Sequence, residues 1–234
     1  MIFPRAILSV CGDVEMASGR FITFEGIEGS GKSSQVLFLI NKLRNCGVRI
    51  LATREPGGSW LAEVLRSVIL SDKATGYSPR LEAFLFSAAR IDHIDKLILP
   101  TLQAGCSVVC DRFIDSTRVY QSELKTAELF FLEKLVLGNL YPDLTIVLDL
   151  PVDKALRRVV TRRGAKRLDR FEKESEELYS RRRQAFLDIA AAEPDRVMVI
   201  DADKPPNEVS DCLWEVVRNS GILNDILKKK TLNM

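Results

Sequence analysis

The stretch that most constrains the fold of this chain is the glycine-rich segment at residues 26–33, GIEGSGKS. It fits the pattern G-x-x-x-x-G-K-[ST] at every fixed position, and it lies between an apolar run, FITFE, and a stretch with apolar residues at helical spacing. In such a strand-to-helix turn the backbone NH groups converge on phosphate oxygens, and the N-terminal end of the helix adds positive charge. A chance glycine-rich turn would not be expected to have both flanking elements. The sequence therefore predicts a site for a nucleoside triphosphate, with Lys32 reaching the outer phosphates and Ser33 as a ligand of Mg²⁺.

Short apolar runs rich in β-branched residues predict five strands. They lie at residues 21–25, 48–52, 107–111, 145–150 and 197–201. The stretches between them carry apolar residues at helical spacing, at positions 36, 39, 40 and 43, then 61, 64, 65 and 68, then 129, 132, 135 and 136. Strands that alternate with helices favour parallel pairing, helices on both faces of the sheet, and ligands at the carboxyl ends of the strands. We therefore expect one α/β domain around a five-stranded parallel sheet.

The composition disfavours several classes of partner. The 234 residues have 46% hydrophobic content, which can fill a sizeable core, and the 34 basic and 32 acidic side chains nearly cancel. We therefore expect neither a nucleic-acid partner nor a polybasic membrane contact. No apolar run approaches the roughly 20 residues that cross a bilayer. The five cysteines lack metal-ligand pairs and favour a reducing compartment, so the expected location is the cytoplasm.

The first fifteen residues carry one arginine and only a short apolar run, which does not fit a secretory signal. Met16 is followed by ASGRFITFEG, which runs directly into the first predicted strand, so translation could begin there. We expect residues 1–18 to be an N-terminal extension that is either disordered or upstream of the true start.

Arginines follow several predicted strands or lie on helices that could lean over the same edge: Arg54 in TREPGG, Arg90 in LFSAAR and Arg112 in CDRF. A denser set lies at 156–172, LRRVVTRRGAKRLDRFE. These are many cations for one triphosphate, and a kinase whose acceptor already carries a phosphate needs cations at both ends of the transfer. A GTPase is disfavoured, because the only Asn-Lys pair, at 41–42, lies in the first predicted helix and is followed by Leu-Arg rather than the base-reading pattern N-K-x-D.

The motifs occur in the order found in the bacterial type of thymidylate kinase, a family that the chain resembles from Gly19 to about Arg218. They are the P-loop, TREPGG, LFSAAR, DRF followed by STRVYQ, and RRG followed by LDRFE. The resemblance implies a three-layer P-loop kinase fold over residues 19–221, with an arginine-rich lid at about 156–172. Residues 222–234 have no counterpart in the family pattern and are interpreted as a C-terminal tail. It also implies a homodimer that converts dTMP to dTDP for dTTP synthesis, using ATP and Mg²⁺ in a direct transfer without a covalent enzyme intermediate.

For the donor, the resemblance implies ATP contacts along the whole P-loop. These residues are Gly26, Ile27, Glu28, Gly29, Ser30, Gly31, Lys32, Ser33 and Ser34. The residues that match catalytic residues of the family are Lys32, Asp111 and Arg112. Asp111 would also bind the metal, together with Ser33. Asp111 ends an apolar run, where a carboxylate is unfavourable unless it is paired or metal-bound. The loop at 201–206, DADKPP, could frame adenine through its backbone, although the same residues also form ordinary turns.

For the acceptor, Arg54 and Arg112 match the arginines that hold its phosphate. Phe86 and Arg90 lie four apart on one helix face and match a phenylalanine that stacks on thymine and an arginine that bonds a base carbonyl. Glu28 matches a contact to the acceptor sugar and to metal-bound water. The residues that match those around the base and deoxyribose are Ser116, Thr117, Tyr120 and Gln121. A tyrosine beside the sugar could exclude a ribose 2′-hydroxyl.

Family members without a P-loop arginine supply one from the lid to the transferring phosphoryl group. The candidates, which the spacing does not rank, are Arg158, Arg162, Arg163 and Arg170. The alternative is a solvated helix face, because positions 152, 155, 156 and 159 form an apolar stripe. His93 is interpreted as structural, since an ionised phosphate acceptor needs no strong base. Arg118 departs from the small or neutral residue of the pattern, and its contribution is open.

Two alternatives to this function are kept. One is a kinase for another nucleoside monophosphate or for an unphosphorylated deoxynucleoside, although the arginines for an acceptor phosphate would have no task with the latter. The other is a non-catalytic protein that uses the P-loop as a nucleotide-dependent switch. Comparison of dTMP with thymidine and other acceptors distinguishes these possibilities.

Overall fold

The computed structural model describes residues 19–163, 171–172 and 174–223, and for Arg162 and Arg163 it describes the backbone alone. The expected N-terminal extension, residues 1–18, lies outside the described residues, as do residues 164–170 of the predicted lid. The structure therefore describes the predicted sheet and the helical segments around it, with a gap in the lid.

Five strands among the described residues form one sheet, in the order β2-β3-β1-β4-β5 and with parallel pairing throughout. They are β1 (Phe21–Glu25), β2 (Ile50–Arg54), β3 (Ser107–Asp111), β4 (Leu144–Asp149) and β5 (Val197–Asp201). The predicted five-stranded parallel sheet is confirmed. β2 begins two residues later than expected because it pairs with β3 in a register that sets Ile50 beside Ser107 and Arg54 beside Asp111. This pairing brings the arginine of TREPGG to the carboxyl edge of the sheet.

Helices connect the strands. They are α1 (Lys32–Asn45), α2 (Trp60–Ile69), α3 (Pro79–His93), α4 (Leu99–Gln103), α5 (Ile114–Tyr120), α6 (Thr126–Leu137), α7 (Val152–Arg163), α8 (Glu176–Ala192) and α9 (Pro206–Asn219). A π turn, Ile94–Ile98, joins α3 to α4. Local sequence explains where α3 begins, since the Ser78 hydroxyl accepts a hydrogen bond from the Leu81 NH and Pro79 occupies the first turn. In the described part of the chain, no helix is both long and apolar enough to span a membrane.

Helices cover both faces of the sheet, and alternate residues of β1 point toward these two faces. Ile22 and Phe24 belong to one core cluster, together with side chains of α1 and α9. Phe21 belongs to another, together with side chains of the π turn, α4 and α5. A smaller cluster joins Phe186 of α8 to Val147 of β4 and to β5. This three-layer arrangement confirms the predicted fold class.

The apolar residues that predicted α2 are mostly not its buried residues. The apolar positions Leu61, Val64 and Val68 are exposed, whereas Ala62 and Ile69 are buried. The reason is that α2 packs mainly against α3 rather than on the sheet. Helical spacing therefore predicted the helix correctly but not which of its apolar residues enter the core.

The core also extends past residue 221, the expected end of the kinase domain. Ile222 and Leu223 are buried in the same cluster as α1 and α9. The first two residues of the expected tail thus pack with the domain, and residues 224–234 lie outside the described residues.

Truncation of Leu39 tests the packing of α1 on the sheet. Its side chain is 0% exposed, and we expect Leu39→Ala to lower the free energy of unfolding by about 2–5 kcal/mol, since it leaves a cavity beside β1. Leu37, two residues earlier on the same helix, is 62% exposed, so Leu37→Ala should change stability by no more than about 0.5 kcal/mol. Urea unfolding of both variants measures the difference. Equal losses would contradict the placement of α1.

Candidate active site

A cleft of about 730 Å³ lies at the carboxyl ends of the strands. It brings together predicted residues from both halves of the proposed chemistry. Those in its wall are Glu28, Gly29, Ser30, Gly31, Lys32, Ser33, Ser34, Arg54, Phe86, Arg90, Asp111, Arg112, Ser116, Thr117, Tyr120, Gln121 and Arg158. The side chains of Arg162 and Arg163, and all of Arg170, lie outside the described residues. The donor and acceptor residues predicted from separate motifs therefore share one cavity.

The P-loop curls at glycines that adopt left-handed backbone angles. Gly26 has a φ of 131°, and a Cβ there would stand 2.6 Å from the carbonyl oxygen of Leu148 in β4. Gly31, with a φ of 98°, precedes the first residue of α1 and has open space on its Cβ side. The position of Gly26 thus requires glycine on both conformational and steric grounds.

Lys32 lies folded over this loop. Its ammonium donates hydrogen bonds to the carbonyl oxygens of Gly26 and Ile27, each at 2.9 Å. Burial, and then the positive charge of Arg112, lower the pKa of Lys32 to about 8. A bound polyphosphate would offset both effects, because it supplies negative charge where the ammonium is otherwise desolvated.

Two oxygen groups meet at the start of α1. The Ser33 hydroxyl donates to Asp111 Oδ2 at 2.7 Å, which joins α1 to the end of β3. A hydroxyl and a carboxylate are hard oxygen ligands of the kind Mg²⁺ prefers, and Mg²⁺ usually takes only one or two protein ligands beside water and phosphate. Among the described residues there is no group of three or more His, Cys, Asp or Glu that could hold a metal alone. The pair is therefore suited to a metal that arrives with a phosphate ligand.

Glu28 connects the P-loop to the segment after β3. Its Oε1 accepts from Arg112 Nη2 at 2.8 Å and from the Tyr120 hydroxyl at 2.7 Å. Burial raises the pKa of Glu28, but Arg112, Lys32 and the Tyr120 hydroxyl outweigh burial and bring it below its usual value. Its Oε2 is buried and has no hydrogen-bond partner among the described residues. Glu28 thus presents an ionised, unpartnered oxygen within the cleft.

Arg112 itself has an uncommon backbone conformation, with a φ of 73°. Its NH donates to the Phe24 carbonyl at 2.9 Å, and Nη1 donates to the Ser116 hydroxyl at 3.1 Å. Non-glycine residues in this region are strained and cluster at active sites, where the surrounding contacts hold them. The turn after β3 therefore aims Arg112 back toward the P-loop.

Arg90 is buried and held by three protein groups. Its Nε donates to Glu55 Oε2 at 2.6 Å, Nη1 to Thr117 Oγ1 at 2.7 Å, and Nη2 to the Phe113 carbonyl at 3.0 Å. Each terminal nitrogen carries a second NH, so the guanidinium keeps donors for a ligand. Gln121 Nε2 is likewise buried, without a partner in the part of the chain that the structure describes. Arg90 and Gln121 line the same cleft as Phe86.

Arg54 occupies a more open position in the cleft than Arg90 or Arg112. It is exposed, and its Nη2 donates to Glu63 Oε1 at 3.0 Å. An exposed ion pair of this kind is weak and exchanges easily for another anion. Arg54 is thus available at the mouth of the cleft.

His93 and Arg118 have structural partners. His93 is fully buried, with Nδ1 2.9 Å from Glu55 Oε1 and Nε2 2.7 Å from Thr53 Oγ1. Arg118 forms ion pairs with Glu133, Asp115 and Glu193, and it is not among the described residues in the wall of the cleft. The structure thus gives Arg118, whose contribution the sequence left open, a place in an ion-pair network.

Sequence reasoning missed several buried carboxylates at the site, among them Glu55 and Glu25. Glu55, inside TREPGG, holds both Arg90 and His93. Glu25, the last residue of β1, accepts from the Phe113 NH at 2.8 Å and from the Ser116 NH and hydroxyl at 3.2 and 2.6 Å. The sequence did contain a signal for Glu25. Like Asp111, it is a carboxylate at the end of an apolar run.

Glu25 predicts a distinctive pH dependence of stability. Burial, then the charge of Asp115, raise its pKa from 4.5 to about 7, so between these values the folded protein keeps a proton that the unfolded chain releases. The protonated Glu25 therefore adds to the free energy of unfolding. This contribution is complete below about pH 4.5 and is lost as the pH rises through 7, and its size is on the order of 1–3 kcal/mol. We expect this loss in the wild type and not in Glu25→Gln. Urea unfolding between pH 5.5 and 8.5 measures it.

The control for that comparison is Glu208→Gln, which replaces an exposed carboxylate on α9 and should keep the wild-type profile. If the stability difference between the wild type and Glu25→Gln were the same at every pH, the raised pKa would be wrong.

Residues 24–212 match the family model described as thymidylate kinase. Thymidylate kinase of Rhodopseudomonas palustris (strain ATCC BAA-98 / CGA009) is 47% identical over 205 residues, which cover 86% of this chain and 89% of that protein. Thymidylate kinase of Bradyrhizobium sp. (strain ORS 278) is 47% identical over 203 residues, which cover 86% of this chain and 90% of that protein. The crystal structure of thymidylate kinase from Ehrlichia chaffeensis superposes with a TM-score of 0.69 at 35% identity, covering 85% of this chain and 98% of that one. The chain belongs to the thymidylate kinase family.

Proposed function

We infer that the protein phosphorylates dTMP to dTDP with ATP as the phosphoryl donor. It is an ATP-dependent nucleoside monophosphate kinase, a phosphotransferase. The observation that carries this function is the single cleft that holds a P-loop on one side and, on the other, arginines beside unpartnered buried polar atoms. A phosphate-binding loop alone would fit many proteins, whereas a second cationic pocket facing it fits transfer between two phosphates.

In the donor half, the backbone NH groups of the P-loop and the Lys32 ammonium bind the ATP phosphates. Lys32 is already buried beside the loop, so it exchanges the Gly26 and Ile27 carbonyls for phosphate oxygens without a large movement. Ser33 and Asp111 would hold Mg²⁺, which when bound supplies positive charge to the donor phosphates. The hydrogen bond between these two residues fixes both oxygens in advance.

In the acceptor half, Arg112 and Arg54 bind the dTMP phosphate. Phe86 provides a ring on which thymine stacks, and the remaining donors of Arg90 and Gln121 meet the polar edge of the base. The Tyr120 hydroxyl and the ionised Glu28 lie together, which suits a contact with the deoxyribose.

The transfer is a direct, in-line displacement, for which the protein provides position and positive charge. Lys32 belongs to the P-loop and Arg112 to the acceptor half of the cleft, and the positive charges of both stabilise the transferring phosphoryl group. Arg158 of α7 lines the cleft, with Nη2 3.3 Å from the Ala202 carbonyl, and is the lid candidate whose side chain the structure describes. The other candidates are Arg162 and Arg163, at the end of the same helix, and Arg170, which lies outside the described residues.

The reaction is tested by the release of ADP with ATP and Mg²⁺ and a panel of acceptors: dTMP, dUMP, UMP, dCMP, dGMP, thymidine and none. We expect strong preference for dTMP, no use of thymidine, and a loss of turnover of at least about hundredfold in Lys32→Ala, because a charge that stabilises the transition state is removed. Lys73→Ala, at an exposed lysine far from the P-loop in sequence, is the control and should keep normal turnover.

Preference for another monophosphate would support a nucleoside monophosphate kinase but contradict the assignment of Phe86 and Arg90 to thymine. Transfer to thymidine would contradict the phosphate roles of Arg54 and Arg112. Tight ATP binding without transfer to any acceptor would instead favour the nucleotide-dependent switch.

We propose a homodimer as well, joined through α2, α3 and α6. α3 contacts both of the other helices, and all three expose apolar side chains, including Trp60 at 81%, Phe84 at 58% and Phe131 at 66%. Phe84 and Phe131 also line an apolar cavity of about 300 Å³ between α3 and α6. Exposed apolar patches of this kind usually mark interfaces.

Sedimentation velocity tests the dimer. We expect the wild type to sediment as a species of twice the chain mass, and Phe131→Glu to shift it to the monomer, because a carboxylate would be buried without a partner. Leu37→Glu introduces the same charge at an exposed leucine of α1 and should leave the dimer intact. A monomeric wild type would contradict the proposal.

We propose the cytoplasm as the site of action. The four cysteines among the described residues, Cys46, Cys106, Cys110 and Cys212, are free thiols, as a reducing compartment favours. Both substrates are highly charged nucleotides, which do not cross a bilayer unaided. Cell fractionation with an antibody to the protein tests this location.

A further inference from the structure

Arg182 of α8 lies beside the acceptor pocket and has no role in the function described so far. Its guanidinium carbon is 4.0 Å from the centroid of the Tyr120 ring and 5.6 Å from that of Phe171. The residue is 6% exposed. A cation at this distance over an aromatic face is attracted by the ring, and more strongly when both groups are desolvated.

The orientation of this guanidinium is fixed from its other side. Nη2 of Arg182 donates to Glu174 Oε1 at 2.9 Å, and Nη1 donates to Oε2 of the same carboxylate. A two-pronged contact between arginine and carboxylate holds the guanidinium plane. Arg182 is thus a rigid support and not a mobile surface cation.

Tyr120 is the residue that this support holds. Its hydroxyl donates to Glu28, and the Arg112 guanidinium lies 5.0 Å from its ring centroid. The hydroxyl of Tyr120 therefore contacts the P-loop carboxylate, and its ring contacts two cations. Burial raises the pKa of Glu28, and the nearby cations, Arg182 among them, more than offset this effect.

We propose that Arg182 is a positioning residue for the acceptor. It holds the Tyr120 ring in the orientation in which the hydroxyl bonds Glu28, and so fixes the wall of the pocket that receives dTMP. Tyr120 lines the cleft, whereas Arg182 is not among the described residues that do, so Arg182 acts through the tyrosine. This inference rests on the proposed function.

A purely structural ion pair between α8 and Glu174 would give a different result. It would contribute to stability and would not distinguish the two substrates. A positioning role predicts an effect on the acceptor that depends on the presence of the Tyr120 ring.

The test compares the wild type with Arg182→Met and Arg182→Lys. For each, calorimetry measures the Kd of dTMP and of ATP with Mg²⁺, steady-state assays give kcat and the KM of each substrate, and thermal unfolding gives Tm. Arg181→Met, at the exposed neighbour on the same helix, is the matched control. Because Arg182→Met leaves Glu174 without its partner, a second variant, Arg182→Met with Glu174→Gln, removes both charges and guards against simple misfolding.

We expect Arg182→Met to raise the Kd and KM of dTMP roughly three- to thirtyfold, the range of a desolvated cation–π contact, with less than about twofold change for ATP. The double variant should show the same selective loss. Arg182→Lys should recover only part of it, since lysine keeps the charge without the planar stacking group. In a Tyr120→Leu background the effect of Arg182→Met on kcat/KM for dTMP should fall below about twofold, because the ring it acts through is gone.

An unchanged dTMP affinity in stable Arg182 variants would overturn the proposal. So would equal losses for dTMP and ATP, or an undiminished effect of Arg182→Met in the Tyr120→Leu background. A wild type that neither binds nor phosphorylates dTMP would overturn the proposed function and this inference with it, whereas a wild type that does both while Arg182→Met matches it overturns this inference alone.

Discussion

A carboxylate inside a phosphate-binding loop is electrostatically unfavourable unless cations offset it, and Glu28 is such a carboxylate. Arg112 and the Tyr120 hydroxyl both converge on its Oε1. Because these partners come from the segment after β3, the two halves of the cleft are joined through this one oxygen. The other oxygen stays buried and unpartnered, which is costly in the free protein and becomes useful once a ligand supplies a donor.

Further buried carboxylates support the same edge of the sheet. Glu25 holds the Phe113 and Ser116 backbone NH groups, and so fixes the turn in which Arg112 takes its left-handed conformation. Glu55 holds Arg90 and His93 on α3. A buried carboxyl group is costly to leave without its hydrogen-bond partners, which restricts the alternative arrangements of the site. The cations that face substrate are thus oriented before it binds.

Much of the fold was predictable because its signals are local. The strands β1, β3 and β5 lie where the apolar runs placed them, and the P-loop lies between a strand and a helix as its mechanism requires. The errors came from packing. Helical spacing predicted α2 but not which of its residues are buried, and Leu61 and Val64 are exposed because the helix packs mainly on α3 and not on the sheet. Spacing along a helix defines its stripes, and only the neighbouring elements determine which stripe is covered.

The sequence by itself determined the parallel α/β architecture, the phosphate-binding loop and the set of arginines that a transfer between phosphates requires. These follow from short-range patterns in which each residue type has one physical reason for its position. The tertiary structure alone decided which charges pair, as with Arg118 and its three acidic partners, and which residues support the site without touching it. Tyr120 belongs to the motif STRVYQ, whereas Arg182 lies in none of the motifs, and no spacing rule relates the two residues. Their 4.0 Å contact exists because α8 packs against α5 in the folded chain.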